Sequence, residues 1–200
     1  MSGSAIVHLI DDDEDVRRAL AFLLGTAGMA VKVYETAEAF LEQFERSPTG
    51  CIVSDLRMPG MDGLQLLRRL KEMRVTLPVV IMTGHADVSL AVEAMKAGAV
   101  DFIEKPFQDE VLVDAIESAM ARHRRDPLAA DAEEIGARLA SLTPRERQVL
   151  DGLVAGKPNK VIAVDLGLSP RTVEVHRANV MSKMAASSLS ELVRMTLAAR

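Results

Sequence analysis

Short apolar runs alternate with helical periodicity through the first 125 residues of the chain. The runs lie at 5–10, 30–34, 51–54, 78–82 and 100–103, are rich in Val and Ile, and are apolar almost throughout. That is the pattern of parallel strands covered on both faces. Between them, at 14–26, 37–44, 64–73, 88–96 and 109–122, apolar residues recur three and four positions apart, as on one face of a helix. Gly28 and Gly98 follow two of these segments, where helices commonly stop. Five alternations of strand and helix predict an α/β fold, a doubly wound five-stranded parallel sheet. Ligands of such sheets bind outside the carboxyl ends of the strands.

The second half has no strand pattern. Helical periodicity covers 144–154, 160–166, 170–184 and 189–198, which predicts an all-α unit of four helices. Thr143 and Ser169 each precede a proline and can cap the helix that follows, with Pro in its first position. Glu146, three residues after Thr143, completes a capping box. Leu166-Gly-Leu-Ser is a short turn between two helices, with the glycine supplying the backbone angles it needs. Two domains are therefore expected, at 1–122 and 141–200. The intervening 123–140, charged and alanine-rich with Pro127, is read as a partly helical linker, a flexible one being the alternative.

Charge divides the same way. Residues 1–126 carry 14 Lys and Arg against 21 Asp and Glu, a net −7, whereas 141–200 carry 9 against 5, a net +4. An acidic half joined to a basic half suggests a charged-ligand site in one and a polyanionic partner for the other. Every Phe and the single Tyr lie at or before Phe107. Single-stranded nucleic acid usually stacks on aromatic rings, so the basic half suits double-stranded DNA. Cys51 is the only cysteine, so no internal disulfide can form. No apolar run is long enough to span a bilayer and no secretory signal is visible at the start; a cytoplasmic protein is expected, with no membrane partner.

The candidate chemistry gathers at predicted strand ends. Asp11, Asp12 and Asp13 follow the first strand, Asp55 ends the third, Thr83 ends the fourth, and Lys105-Pro106 ends the fifth. Clustered carboxylates favour a hard cation such as Mg²⁺. A carboxylate beside it can attack phosphorus and form an acyl phosphate. The metal, the Lys105 ammonium and the Thr83 hydroxyl would then balance the phosphoryl oxygens.

Strand-Asp-Asp, Asp55-Leu-Arg-Met-Pro-Gly-Met-Asp-Gly, Thr83-Gly and Lys105-Pro together resemble the four motifs of response regulator receiver domains. The resemblance implies that Asp55 is the phosphoacceptor, and that Asp12 and Asp55, the Arg57 backbone carbonyl and Asp11, directly or through water, hold Mg²⁺. It implies that Lys105 pairs with the phosphoryl group beside a cis Lys105-Pro106 bond, that Thr83 moves toward that group, and that Phe102 swings inward with it. Arg57 and His85 would flank the path of the hydrolytic water. Asp13 is surplus to the family pair and is read as solvated or as a helix cap. The phosphotransfer would be self-catalysed; no other enzyme activity is expected. A phosphatase using Asp11 as nucleophile and Asp13 as acid is the rival, but it leaves Asp55, Thr83 and the second half without a role.

On the third helix of the second half, Val173, Val180 and Met184 share one face, expected to be core. Glu174, Val175 and Ala178 share another with Arg171, expected to enter a major groove. From Ser141 onward the chain resembles the LuxR-type helix-turn-helix domains of the NarL/FixJ family. That resemblance makes Lys160, Arg171, Thr172, Arg177, Asn179 and Lys183 candidates for phosphate contacts and Glu174, Val175 and Ala178 for base contacts. It further implies a sensor histidine kinase, a homodimer formed on phosphorylation, RNA polymerase as a partner, and transcriptional activation, of nitrogen-fixation genes in the subgroup most similar.

Overall fold

The computed structural model describes residues 5–44, 49–84, 88–124 and 130–198. Two compact units form, one centred on a sheet and one on helices. The chain runs β1 (Ile6–Ile10), α1 (Glu14–Thr26), β2 (Ala30–Tyr34), α2 (Ala37–Gln43), β3 (Gly50–Asp55), α3 (Gly63–Glu72), β4 (Val79–Thr83), α4 (Val88–Ala97), β5 (Asp101–Glu104) and α5 (Asp109–Arg124). The second half follows as α6 (Ala130–Ala140), α7 (Pro144–Val154), α8 (Asn159–Leu166), α9 (Pro170–Met184) and α10 (Leu189–Ala198). Every strand and helix expected from periodicity is present, with ends shifted by no more than two residues. Within the stretch 123–140, α5 runs on to Arg124 and α6 spans Ala130–Ala140; residues 125–129 lie outside the described residues.

The sheet is wholly parallel in the order β2-β1-β3-β4-β5. Period-two alternation sends Val7, Leu9, Cys51, Val53, Val80, Met82 and Ile103 to one face. There they pack with Leu20 and Leu24 of α1 and Leu112 and Ile116 of α5. On the opposite face, His8 of β1 meets Phe40 of α2 with ring centroids 5.4 Å apart, and its Nδ1 lies 3.1 Å from the Tyr34 hydroxyl. Burial, and then the charge of Lys32, lower the His8 pKa. Cys51 is fully buried, and burial pushes its thiol up to about 12.

One strand departs from expectation. β2 is not covered on both faces: Ala30, Lys32 and Val33 are exposed and only Tyr34 is buried. It is an edge strand with β1 as its single neighbour. The charge of Lys32 helps keep such an edge from pairing with another chain.

In the second unit α7 and α9 cross around a core that includes Val149, Leu150, Leu153, Ile162, Val193 and the predicted triad Val173, Val180 and Met184. Both predicted caps form. Thr143 accepts from Glu146 N–H while Glu146 accepts from Thr143 N–H, and Ser169 accepts from Thr172 N–H. Gly167 ends α8 at φ 64°, ψ 36°, the left-handed conformation that turns the chain into α9.

Candidate functional site

The strand order reverses direction at β1 and β3, so a crevice opens beyond their carboxyl ends. Asp11 leaves β1 and Asp55 ends β3. Both are nearly buried. The Lys105 ammonium, arriving from the end of β5, donates to Asp11 Oδ2 at 2.8 Å and to Asp55 Oδ1 at 2.5 Å. The second oxygen of each carboxylate is tied to its own loop: Asp13 N–H donates to Asp11 Oδ1 at 3.0 Å and Arg57 N–H to Asp55 Oδ2 at 2.7 Å. Both acids are thus fixed in direction, and one cation lies between them.

Burial raises the Asp55 carboxyl above the ordinary carboxylate range, against the pull of Lys105 and the Arg57 amide. Burial alone would lower Lys105, but its hydrogen bonds and charge contacts with Asp11 and Asp55 more than reverse this and hold the ammonium protonated. Proximity of opposite charges favours the charged form of each partner; it outweighs burial at Lys105 and does not at Asp55.

The other expected residues take distinct places. Thr83 is buried and its hydroxyl donates to the Gly84 carbonyl at 3.4 Å; its own carbonyl accepts from Lys105 N–H at 2.7 Å. Lys105-Pro106 is cis. Phe102 is half-buried. Asp12 is exposed. Asp13 accepts from Asp15 and Val16 N–H and is the N-cap of α1, one of the two roles expected for it. Arg57 is exposed. His85 lies outside the described residues.

Two anchors of the site were not foreseen. Arg17 of α1 donates to the Asp11 carbonyl at 2.7 Å. Glu38 of α2 accepts from Met61 N–H at 2.9 Å, holding the far end of the loop that begins at Asp55.

On α9, Arg171, Glu174, Val175, Ala178 and Asn179 are exposed along one side, and Thr172 and Arg177 are half-buried. Val175 exposes 56% of its surface. Lys160 is exposed near the start of α8. The Thr172 hydroxyl lies 2.8 Å from Ser169 Oγ, within the cap. Lys183 is engaged inside the unit: its ammonium donates to Glu146 Oε2 at 2.7 Å and to the Ser141 carbonyl at 3.4 Å.

That ion pair has a pH signature. The Lys183 hydrogen bond, followed by Thr143 N–H, pulls the Glu146 carboxyl down from 4.5 to about 2. The unfolded chain therefore takes up this proton first, and acid favours unfolding. Stability from Glu146 is complete above pH 4.5 and is lost as pH falls from there toward 2. Urea unfolding of the wild type and Glu146→Gln should converge across that window; a constant gap would remove Glu146 from this role.

A doubly wound parallel sheet with paired acids and a lysine at its strand ends, joined to a helix-turn-helix, defines a two-component response regulator that acts on transcription. Residues 7–117 match the response regulator receiver domain family, and residues 140–196 match the bacterial regulatory proteins of the luxR family. The chain belongs to the NarL/FixJ type of response regulator. It is 57% identical to the transcriptional regulatory protein FixJ of Rhizobium meliloti over 194 residues, 96% of this chain and 95% of that one. It is 54% identical to FixJ of Bradyrhizobium diazoefficiens, across 100% of this chain and 98% of that one. The crystal structure of full-length FixJ from B. japonicum superposes with a TM-score of 0.58 at 54% identity, covering 98% and 97% of the two chains. Among the described residues, no helix is long and apolar enough to cross a membrane.

Proposed function

We propose that Asp55 accepts a phosphoryl group from a sensor histidine kinase, that phosphorylated receivers pair, and that the paired α9 helices bind duplex DNA and activate transcription. The observation that carries this is the Lys105 ammonium bridging Asp11 and Asp55 at the β1/β3 crevice. One Asp55 oxygen forms the new bond to phosphorus as the bond to the donor histidine nitrogen breaks. Lys105 opposes the effect of burial on the Asp55 carboxyl beforehand and afterwards pairs with a phosphoryl oxygen. Thr83 turns its hydroxyl from the Gly84 carbonyl to the same group, and Phe102 fills the space vacated.

The residues fit Mg²⁺. Two buried carboxylates converge within reach of one cation, and the donors are all hard oxygens. Mg²⁺ keeps several waters and needs only one or two carboxylates from the protein. Asp11, Asp12, Asp55 and the Arg57 carbonyl would hold it, and when bound it neutralises charge on the phosphoryl oxygens.

The net +4 of residues 141–200 is modest for a DNA-binding unit, because affinity scales with the phosphates neutralised. Two copies on a two-fold site correct that, so pairing is the variable that phosphorylation controls. On each copy Arg171, Arg177, Asn179, Thr172 and Lys160 face phosphates, while Glu174, Val175 and Ala178 meet base edges. Val175 offers an apolar contact to a thymine methyl and Glu174 an acceptor to a cytosine amino group. Lys183 contributes a phosphate contact only by leaving Glu146. The similarity to FixJ supports nitrogen-fixation genes as targets, and activation brings in RNA polymerase. The cytoplasm is where such partners meet.

Phosphodonor with Mg²⁺ should convert the monomer to a dimer in sedimentation, and a chelator should abolish the conversion. An unchanged sedimentation coefficient in protein shown to carry phosphate would contradict the pairing step. Lifetime is a second readout. Neither Arg57 nor His85 offers a carboxylate or amide to orient water, so the phosphoryl group should last minutes or longer. A half-life of a few seconds, followed by release of inorganic phosphate, would count against that assignment.

A further inference from the structure

The chain before the helix-turn-helix domain is more than a tether. The luxR-family match begins at residue 140, yet the helix that ends there is tied to the far end of α9. Arg138 Nη1 of α6 donates to the Met184 carbonyl at 2.8 Å, across 46 residues of sequence. Met184 is the last residue of α9, and the last four carbonyls of a helix have no partner within it. Two of the others are met locally. Ala185 N–H reaches the Met181 and Ser182 carbonyls, and Ala186 N–H also reaches Met181. Ala185, which makes this turn, sits at φ 51°, a left-handed conformation that is strained for an alanine. A strained, non-glycine stop is held in place by its neighbours. The guanidinium supplies both the donor for Met184 and a positive charge at the negative pole of the helix.

Around this contact the structure is continuous. Ile135 of α6 is buried. Ser141 Oγ donates to the Arg138 carbonyl at 2.7 Å, Arg147 of α7 to the Leu139 carbonyl at 3.2 Å, and Lys183 to the Ser141 carbonyl. The C-terminal turn of α9 is therefore gripped from α6 and α7 together. α9 has 15 residues, and at 1.5 Å per residue it is about 22 Å long. A tilt of about 5° at one end moves the other by about 2 Å, enough to break a hydrogen bond to a base edge.

We propose that Arg138 is a positioning residue for DNA recognition: by holding the C-terminal end of α9 through Met184 O, it sets the angle at which the N-terminal part of α9 meets the groove, and α6 is a working part of the DNA-binding unit. The proposal rests on α9 being the reading helix.

The test uses full-length wild type, Arg138→Ala and Arg138→Lys, with a labelled duplex selected by the wild type from a random-sequence pool. Affinity is measured across a salt series. Arg138→Ala should bind about 3- to 10-fold more weakly, the range of an ordinary hydrogen bond's net contribution. Arg138→Lys, which keeps a shorter cationic donor, should recover part of the loss. The slope of log affinity against log salt should stay at the wild-type value, because Arg138 touches protein. Were Arg138 itself a phosphate contact, the slope would fall in magnitude by about 0.9, and the proposal would be overturned. Equal affinity of all three proteins would overturn it too. If Arg138→Ala fails to fold, Arg138→Lys carries the test alone: weaker binding with an unchanged slope supports the proposal, and wild-type binding overturns it. A wild type that selects no duplex overturns the reading of α9 itself; a wild type that binds, with variants that bind equally, overturns only the role of Arg138.

Discussion

Asp55→Asn should take up no phosphoryl group from phosphodonor and Mg²⁺ and should neither dimerise nor gain DNA affinity in response. The substitution is nearly isosteric, so the fold has little reason to change. Lys105 keeps its bond to Asp11 at 2.8 Å, and an amide oxygen at position 55 can still accept from Arg57 N–H. What disappears is the proposed nucleophile, because a neutral amide is far weaker than a carboxylate toward phosphorus. Couplings between two sites in one protein are typically about 5- to 150-fold in affinity, and the whole of that gain should vanish. Labelled phosphodonor followed by gel separation checks the covalent step, and sedimentation checks the pairing. Label retained at wild-type level on Asp55→Asn would move the acceptor elsewhere, with Asp11 the first residue to test.

Gly63→Ala should destabilise the protein by about 1–2 kcal/mol, within the range for overpacking, and slow phosphoryl uptake. Helix propensity points the other way, though Gly63 opens α3 just after its N-cap Asp62, so the roughly 0.5–1 kcal/mol of a mid-helix Gly-to-Ala change is an upper bound. Space decides the sign. A Cβ at Gly63 would lie 2.6 Å from the Asp55 carbonyl oxygen and 3.1 Å from Leu56 Cα. Both obstacles are backbone, and Gly63 N–H is itself bonded to the Leu56 carbonyl at 3.0 Å. Relief is possible only by moving α3 or the end of β3, and the second carries Asp55, the proposed phosphoacceptor, with it. Denaturant unfolding and the rate of phosphorylation by a small phosphodonor should therefore change together. Wild-type stability with a wild-type rate would show that the loop has more room than the structure gives it.

The sheet, the helices and the pocket were readable from local patterns. Alternating apolar runs located the strands, since parallel strands under helices leave few polar positions. The strand-end rule then placed Asp11, Asp55, Thr83 and Lys105 at one rim without any contact being known. Thr143 and Ser169 declared their helices through short-range hydrogen bonds that need only three residues of sequence. The rest was hidden because it is long-range. Lys183 meets Glu146 across 37 positions and Arg138 meets Met184 across 46, and no periodicity encodes either. The exposure of β2 follows from strand order, which its Ala-Val-Lys-Val-Tyr pattern does not reveal. The sequence reads Lys105 as a partner for a phosphoryl group; in the folded chain its ammonium already bridges Asp11 and Asp55.

The decisive measurement is duplex affinity of the wild type at one fixed salt concentration, with and without phosphodonor and Mg²⁺, with phosphate on Asp55 quantified in the same samples. Affinity should rise by about 5- to 150-fold, in step with the phosphorylated fraction and with dimer formation. Unchanged affinity in protein that demonstrably carries phosphate on Asp55 would contradict control of DNA binding by that residue.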